Sequence, residues 1–278
     1  MDTFTAIILG VVQGLTEFLP ISSSGHLVIF QEIFGMNDME ESHLLFGTLL
    51  HFGTVISICL VYYKDLFHLI KEFFGMLADI GKGQVDINSS PYRRMIVLII
   101  VATIPAGVIG LLFKDIFEMM FKSIQIVGFT LLVTGFLLWI SNKLMPGSKD
   151  ERTATYGNAF IVGLFQSFAI MPGISRSGST IVGGLLNGLK KEFAIKFSFF
   201  MLIPATLGAA VLQIPELMQE GTGGEPLFPY VIGVAAATIT GFAAIKFLIR
   251  LLNRGKLYVF SYYCWIVGAV VIIYTLFK

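Results

Sequence analysis

The chain has 278 residues, of which 55% are hydrophobic and only 13% are charged, and its mean hydropathy is +0.82. A soluble domain carries about 25% charged residues, so this composition excludes a soluble globule and predicts a membrane protein. The net charge of +1 gives no electrostatic basis for nucleic-acid binding.

Six uninterrupted apolar runs approach or reach the ~17–25 residues that a helix needs to cross a bilayer. They are 44–62, 95–113, 124–140, 194–214, 230–250 and 258–277. Because the runs show no polar/apolar alternation, they predict an all-α polytopic membrane protein. Between them, the amphipathic stretches 64–80 and 114–122 are typical of interfacial helices, with partner binding as the alternative.

Two further apolar regions, 3–35 and 157–189, are each interrupted by a polar break. The breaks contain PISSSGH and MPGISRSGST. Irregular backbone at membrane depth survives only where it is buried in protein or lines a wet cavity. Both regions are therefore predicted to be re-entrant or broken-helix hairpins.

The two interrupted regions also match each other at a spacing of 153 residues, with 8 identities in the 20 positions 6–25. The first member of each identical pair is Ala6, Ile8, Gly10, Gln13, Ile21, Ser22, Ser24 or Gly25. We interpret residues 1–278 as a single integral membrane domain built by duplication. The first repeat covers about 1–145 and the second about 154–278, each a hairpin plus three transmembrane helices.

The distribution of basic residues predicts the orientation of these repeats, because cytoplasmic loops carry an excess of Lys and Arg. Segments 64–94, 141–156, 190–196 and 246–256 hold 15 of the 19 Lys and Arg residues. With the N-terminus outside, all four segments are cytoplasmic. Three spans per half then place the halves in opposite orientations, an inverted-topology repeat whose broken segments meet near the midplane.

Three ionisable residues, Glu17, His26 and Arg176, lie in or beside the two breaks, at a depth where charge is costly and indicates function. Small and hydroxylated residues surround them: Ser22, Ser23, Ser24, Gly25, Ser175, Ser177, Gly178, Ser179 and Thr180. Glycines and helix N-termini suit an anion, and an arginine fork binds phosphate bidentately. The set predicts a phosphate site.

Structural interpretations stay open for several of these residues. Serines and glycines also allow transmembrane helices to pack closely, which applies to Gly14 and Ser179 taken singly. Glu17 could be a structural acid paired with Arg176, and His26 could cap a helix. His51, inside a span, is predicted to be a packed neutral histidine without a partner.

At this point the sequence resembles a known family. QGLTEFLPISSSGH (13–26) and PGISRSGST (172–180) are similar to the two signature motifs of the bacterial undecaprenyl-pyrophosphate phosphatase family, the bacitracin-resistance type. The resemblance covers the whole chain. It implies a hydrolase of the bacterial cytoplasmic membrane that converts undecaprenyl pyrophosphate to undecaprenyl phosphate and inorganic phosphate. This recycles the lipid carrier for peptidoglycan synthesis and confers bacitracin resistance.

The resemblance also implies roles for matching residues. Glu17, Ser23, His26 and Arg176 become catalytic candidates. The predicted substrate-phosphate contacts are Ser22, Ser24, Gly25, Gly173, Ser175, Ser177, Gly178 and Thr180. A divalent cation, Mg²⁺ or Ca²⁺, is implied as cofactor, with Glu17 and Gln13 as metal ligands. Because Gln13 stands at the first acidic position, a two-carboxylate site is not expected.

The predicted partner is the lipid substrate in the membrane, which the site meets from the outer, periplasmic side. The attacking group is left open between Ser23, His26 and water, and so is a homodimer. A different class of function, a transporter of undecaprenyl phosphate or a related anionic lipid, fits the same inverted repeat. Phosphate release by the purified protein in detergent separates the two functions.

Overall fold

The computed structural model describes residues 2–33, 40–84, 86–144, 147–220 and 226–277, with the backbone alone for 40–45 and 212–220. Within these ranges the chain forms twelve α-helices and no β-strand beyond one isolated bridge, which confirms the all-α prediction. The helices are α1 Thr3–Phe18, α2 Ser23–Ile33, α3 Glu40–Val61, α4 Tyr63–Gly81, α5 Pro91–Leu112, α6 Lys114–Phe121, α7 Ile124–Ser141, α8 Tyr156–Phe168, α9 Arg176–Leu186, α10 Lys191–Glu220, α11 Leu227–Asn253 and α12 Val259–Phe277.

Among the described residues, five helices are long and apolar enough to cross a membrane: α5, α7, α10 over Lys191–Val211, α11 and α12. A sixth candidate is α3 combined with α4, which are bent by 96° relative to each other. These helices coincide with the six predicted runs. The chain is therefore a multi-pass membrane protein.

The bend after Val61 leaves α4 as an amphipathic helix beside the start of α5. Arg93 of α5 pairs through Nε with Glu72 Oε2 at 2.7 Å and through Nη1 with Asp79 Oδ2 at 2.8 Å. Phe67, on another face of α4, is exposed. One polar edge held to the bundle and an exposed apolar face agree with the interfacial helix predicted there.

The first hairpin consists of α1 and α2, separated by a break that proline starts. Pro20 disfavours helical geometry in the residue before it, and Leu19 accordingly has ψ 138°. Ser22 follows with φ +70°, the one positive φ outside glycine among the described residues. Its Oγ accepts the Gly25 N–H at 3.2 Å, so the strained serine also caps α2.

The second hairpin, α8 and α9, has a break whose backbone is satisfied by threonines of α7. Thr134 Oγ1 donates to the Gly173 carbonyl at 2.8 Å and accepts the Ser175 N–H at 3.0 Å, while Thr130 Oγ1 donates to Pro172 O at 2.5 Å. Gly173 has φ +89°, and a Cβ there would collide with Thr130 Oγ1. The irregular backbone is thus hydrogen-bonded within protein, as membrane depth requires.

The two hairpins repeat one another in helix boundaries as well as in sequence. Helices α1 and α8 begin at Thr3 and Tyr156, and α2 and α9 begin at Ser23 and Arg176, each pair 153 residues apart. Ser175 also caps its helix, accepting the Gly178 N–H at 3.0 Å as Ser22 does in α2. The agreement supports an internal duplication. The repeat boundaries and the opposite membrane orientations stay predictions.

Each hairpin packs against a long helix of the other half. Helix α1 lies on α11, and α8 lies on α5. A Cβ at Gly14 would collide with the Ala237 carbonyl, so the close-packing interpretation of Gly14 holds. At the end of α1, Phe18 contacts Phe199 of α10 edge-on, with ring centroids 5.3 Å apart. This packing brings the end of α1 and the start of α9 together inside the bundle.

Candidate active site

The two breaks meet through an ion pair between Glu17 and Arg176. Arg176 Nη2 donates to Glu17 Oε1 at 2.9 Å, and Nη1 donates to the Ser198 carbonyl of α10 at 2.8 Å. The Glu17 side chain is 4% exposed and the Arg176 side chain is 14% exposed. Pairing explains how a carboxylate and a guanidinium are tolerated at this depth.

The second oxygen of Glu17 is also occupied. Ser23 Oγ donates to Glu17 Oε2 at 2.7 Å, and Gln13 Nε2 donates to the same oxygen at 3.0 Å. Ser23 is the first residue of α2, so the first break places a hydroxyl directly against a buried carboxylate. This geometry matches a nucleophile next to a proton acceptor.

His51 of α3 completes this group, and the expectation that it lacks a partner was wrong. Its Nδ1 lies 2.9 Å from Gln13 Nε2 and 3.4 Å from Glu17 Oε2. His51 therefore lies against both Gln13 and Glu17 at the charged end of the site. The sequence already contained the signal for this, because an ionisable residue inside a membrane span indicates a functional role rather than a packing role.

Among the described residues no hydrogen bond or ion pair joins His26 to Glu17 or Arg176, so His26 does not share the contacts of that pair. Its Nδ1 donates to the Ser22 carbonyl at 2.7 Å, and its Nε2 lies 2.8 Å from the Tyr263 hydroxyl. The two rings also stack, with centroids 5.6 Å apart. His26 therefore holds the strained start of α2 and links it to α12, and it does not line the cavity described next.

A cavity of about 650 Å³ opens onto the Glu17 and Arg176 pair. Its polar part includes Thr16, Ser23, Ser24, His51, Gln166 and Ser175. Its remaining walls are largely apolar and come from α5, α10 and the residues after α8, with small side chains at Ala106, Gly107, Gly110, Ala205, Gly208 and Ala209. A charged end and an apolar slot in one cavity suit an amphiphile.

The predicted phosphate contacts divide into two groups. Ser24 and Ser175 line the cavity beside Ser23. The other six support the backbone of the breaks. Ser22 and Gly173 do so as described above, Gly25 packs on Gly173, and the Gly178 N–H donates to Ser175. Ser177 Oγ lies 3.4 Å from the Leu19 carbonyl, and Thr180 bonds to the Arg176 carbonyl and to Ser198. Sequence proximity to the breaks did not separate these two groups.

The predicted metal ligands do not converge as a cation site requires. Gln13 directs its amide nitrogen to Glu17 while its Oε1 has no partner, and the other Glu17 oxygen faces the Arg176 guanidinium. Among the described residues no three His, Cys, Asp or Glu side chains cluster. Because Mg²⁺ and Ca²⁺ need several convergent oxygens, these residues do not fit a resident divalent cation.

Comparisons with known proteins identify the family of this chain. The sequence profile of the family described as bacitracin resistance protein BacA matches residues 6–270. The undecaprenyl-diphosphatase of Alkaliphilus metalliredigens is 50% identical over 279 residues, 99% of this chain and 100% of the relative. Those of Halothermothrix orenii and Carboxydothermus hydrogenoformans are 44% and 42% identical over 273 and 275 residues, at least 97% of either chain. The chain belongs to the bacitracin resistance protein BacA family.

Proposed function

We propose that the cavity of Glu17 and Arg176 is where this chain hydrolyses undecaprenyl pyrophosphate. The chain is an undecaprenyl-diphosphatase, the name that its full-length relatives carry. The product undecaprenyl phosphate returns to use as the lipid carrier for peptidoglycan. The observation that carries the assignment of the site is a hydroxyl and a guanidinium that both contact one buried carboxylate at the charged end of an apolar cavity.

Ser23 is the proposed nucleophile. Its Oγ bonds to the terminal phosphorus while its proton passes to Glu17 Oε2, which already accepts it at 2.7 Å. The bond from that phosphorus to the bridging oxygen breaks, and undecaprenyl phosphate leaves with the proton returned by Glu17. Water then attacks the phosphoserine phosphorus and gives a proton to Glu17. Glu17 returns this proton to Ser23 Oγ as the bond between phosphorus and Oγ breaks, which releases inorganic phosphate and regenerates both residues.

Arg176 stabilises the charge that develops on the terminal phosphate. Two of its five N–H groups are used by Glu17 and Ser198, which fix the plane of the guanidinium, and the others are available to phosphate oxygens. Gln13 donates to the acceptor oxygen of Glu17 from its other side, and His51 Nδ1 lies 3.4 Å from that oxygen. All these groups come from one chain, so one chain forms the complete site.

The substrate enters from the periplasmic side of the cytoplasmic membrane. The cavity extends to Leu111, just before the segment 114–123, and to Phe121 within it, and the charge distribution predicts that this segment lies outside. The small-residue walls of α5 and α10 receive the first part of the prenyl chain. We assign the divalent cation to the incoming pyrophosphate, because Gln13 and Glu17, the predicted ligands, do not present convergent oxygens to it.

Phosphate release from undecaprenyl pyrophosphate by purified protein in detergent tests this proposal. Ser23→Ala should lose at least ~10³-fold in kcat, whereas Ser24→Ala, its neighbour without a Glu17 contact, should lose far less. Acid quenching should trap phosphate on the peptide that contains Ser23. Near-normal turnover by Ser23→Ala would exclude it as nucleophile, and a parallel assay with chelator measures the cation requirement.

A further inference from the structure

Gln166 is a buried amide that uses none of its hydrogen-bonding capacity. It lies on α8, is 3% exposed and lines the cavity that contains Glu17 and Arg176. Neither Oε1 nor Nε2 has a hydrogen-bond partner in the part of the chain that the structure describes. Its neighbour Ser167, equally buried, donates to the Gly163 carbonyl at 2.9 Å. The helix therefore satisfies the adjacent polar side chain but not Gln166.

Its position in the repeat makes this difference informative. Gln166 is the counterpart of Gln13, 153 residues earlier, whose Nε2 is used by Glu17 and His51. The second hairpin has no such carboxylate, because Ile170 stands at the position that corresponds to Glu17. The same amide is thus kept in both halves but faces an empty cavity in one. An unpaired buried amide is unfavourable, which indicates that a ligand supplies its partner.

We propose that Gln166 binds the diphosphate of the substrate, with its Nε2 donating to a non-bridging phosphate oxygen beside Arg176. The inference rests on the proposed function of the cavity. Gln166 adds to that cavity a donor from α8 that no protein group engages among the described residues. A neutral amide supplies one without adding a charge that would compete with Arg176 for Glu17.

The test compares KM and kcat for undecaprenyl pyrophosphate in Gln166→Met and Gln166→Glu, together with thermal unfolding of the substrate-free proteins. Methionine keeps the length of the side chain and removes both polar atoms. Glutamate keeps the shape and replaces the donor with a negative charge. Ser167→Ala is the matched control, because Ser167 is the equally buried neighbour of Gln166 on α8 but does not line the cavity.

Gln166→Met should raise KM by roughly tenfold to a hundredfold with a smaller change in kcat, and should unfold at the same or a higher temperature than the wild type. Gln166→Glu should be weaker still, because it repels phosphate. Ser167→Ala should match the wild type in KM. This combination of weaker binding and unchanged stability is one that a packing role would not produce.

Wild-type KM and kcat in Gln166→Met would overturn the inference, and so would a Gln166→Glu variant with lower KM in the presence of Mg²⁺, which would indicate a cation contact. Arg176→Ala, assayed alongside, separates the two levels of the argument. If Arg176→Ala is inactive while Gln166→Met is normal, only the inference about Gln166 fails. If Arg176→Ala is active, the proposed function of the cavity fails.

Discussion

Glu17 has two roles, and a single substitution would remove both at once. It neutralises Arg176 and it accepts the proton of Ser23. Removing one member of a buried ion pair costs about 3–5 kcal/mol because the other charge is left unpaired, whereas replacing both by apolar groups is often neutral. A pair of variants therefore separates the structural duty from the chemical one.

Glu17→Gln should lower both the unfolding temperature and the rate of phosphate release. Adding Arg176→Met to it should recover most of the stability and none of the activity, because no buried charge remains but no acceptor or phosphate clamp remains either. Thermal unfolding in detergent and the phosphate assay give the two readouts. Recovery of activity in the double variant would mean that the pair is structural only.

His26 acts on the reaction through the position of Ser23 rather than by direct contact. Its Nδ1 bond to the Ser22 carbonyl holds a residue with φ +70° directly before the nucleophile. The amide nitrogen of asparagine can reach the position of histidine Nδ1, but asparagine is neither a nucleophile nor a general base. Substitution by asparagine therefore distinguishes a positioning role from a chemical one.

We expect His26→Asn to stay within about threefold of wild-type kcat and His26→Ala to lose roughly tenfold to a hundredfold, since an unpaired buried carbonyl costs about 1–3 kcal/mol. Tyr263→Phe, which removes only the partner of Nε2, should fall between them. Steady-state kinetics in detergent measure all three. Equal inactivation by asparagine and alanine would indicate that His26 takes a direct part in the reaction.

At the scale of the elements, the second break depends on α7 for its shape. Thr134 serves two backbone groups at once, the Gly173 carbonyl and the Ser175 N–H, and Ser175 directly precedes Arg176. In the part of the chain that the structure describes, Thr134 is the side chain that bonds to these two groups. The orientation of the arginine is therefore set from a different helix.

Thr134→Val should destabilise the protein by about 1–3 kcal/mol for each group left unpaired and should raise KM, because Arg176 loses its support. Thr275→Val is the control: Thr275 on α12 donates only to the Ile272 carbonyl within its own helix, so its loss should be nearly neutral. Thermal unfolding and KM are measured together. A stable Thr134→Val with unchanged KM would show that the break is rigid without α7.

The hairpins could be predicted from sequence because proline, glycine and serine interrupt apolar runs at a depth that tolerates irregular backbone only for a purpose. The pairing of Glu17 with Arg176 could also be expected, because one of these two charged residues lies in or beside each break. The contacts of His51 and Tyr263 could not be predicted. They join residues 38 and 237 positions apart, and no local spacing rule connects them. Gln166 was identified as a buried amide without a hydrogen-bond partner, a property that can be recognised only in the structure.

At the scale of the whole molecule, the segments rich in Lys and Arg gather at one end. Three contacts join them: Asp65 with Lys196 at 2.5 Å, Arg94 with the Ala154 carbonyl at 2.7 Å, and Asp150 with Lys190 at 2.9 Å. Asn253, from the fourth segment, lines a smaller cavity with Lys190. Segments chosen by charge alone are thus neighbours in space. This supports assigning all four to one side of the membrane.

The assignment predicts which loops a reagent can reach from outside the cell. In a Cys59→Ala, Cys264→Ala background, Glu118→Cys should react with a membrane-impermeant maleimide on intact cells, because 114–123 lies at the opposite end, near the cavity. Lys82→Cys should react only after permeabilisation; both positions are exposed in the structure, so access differs by side alone. The reverse labelling pattern would mean that the cavity opens to the cytoplasm. The lipid pyrophosphate would then have to reach Ser23 from inside the cell, and the proposed periplasmic entry would be wrong even if the chemistry were right.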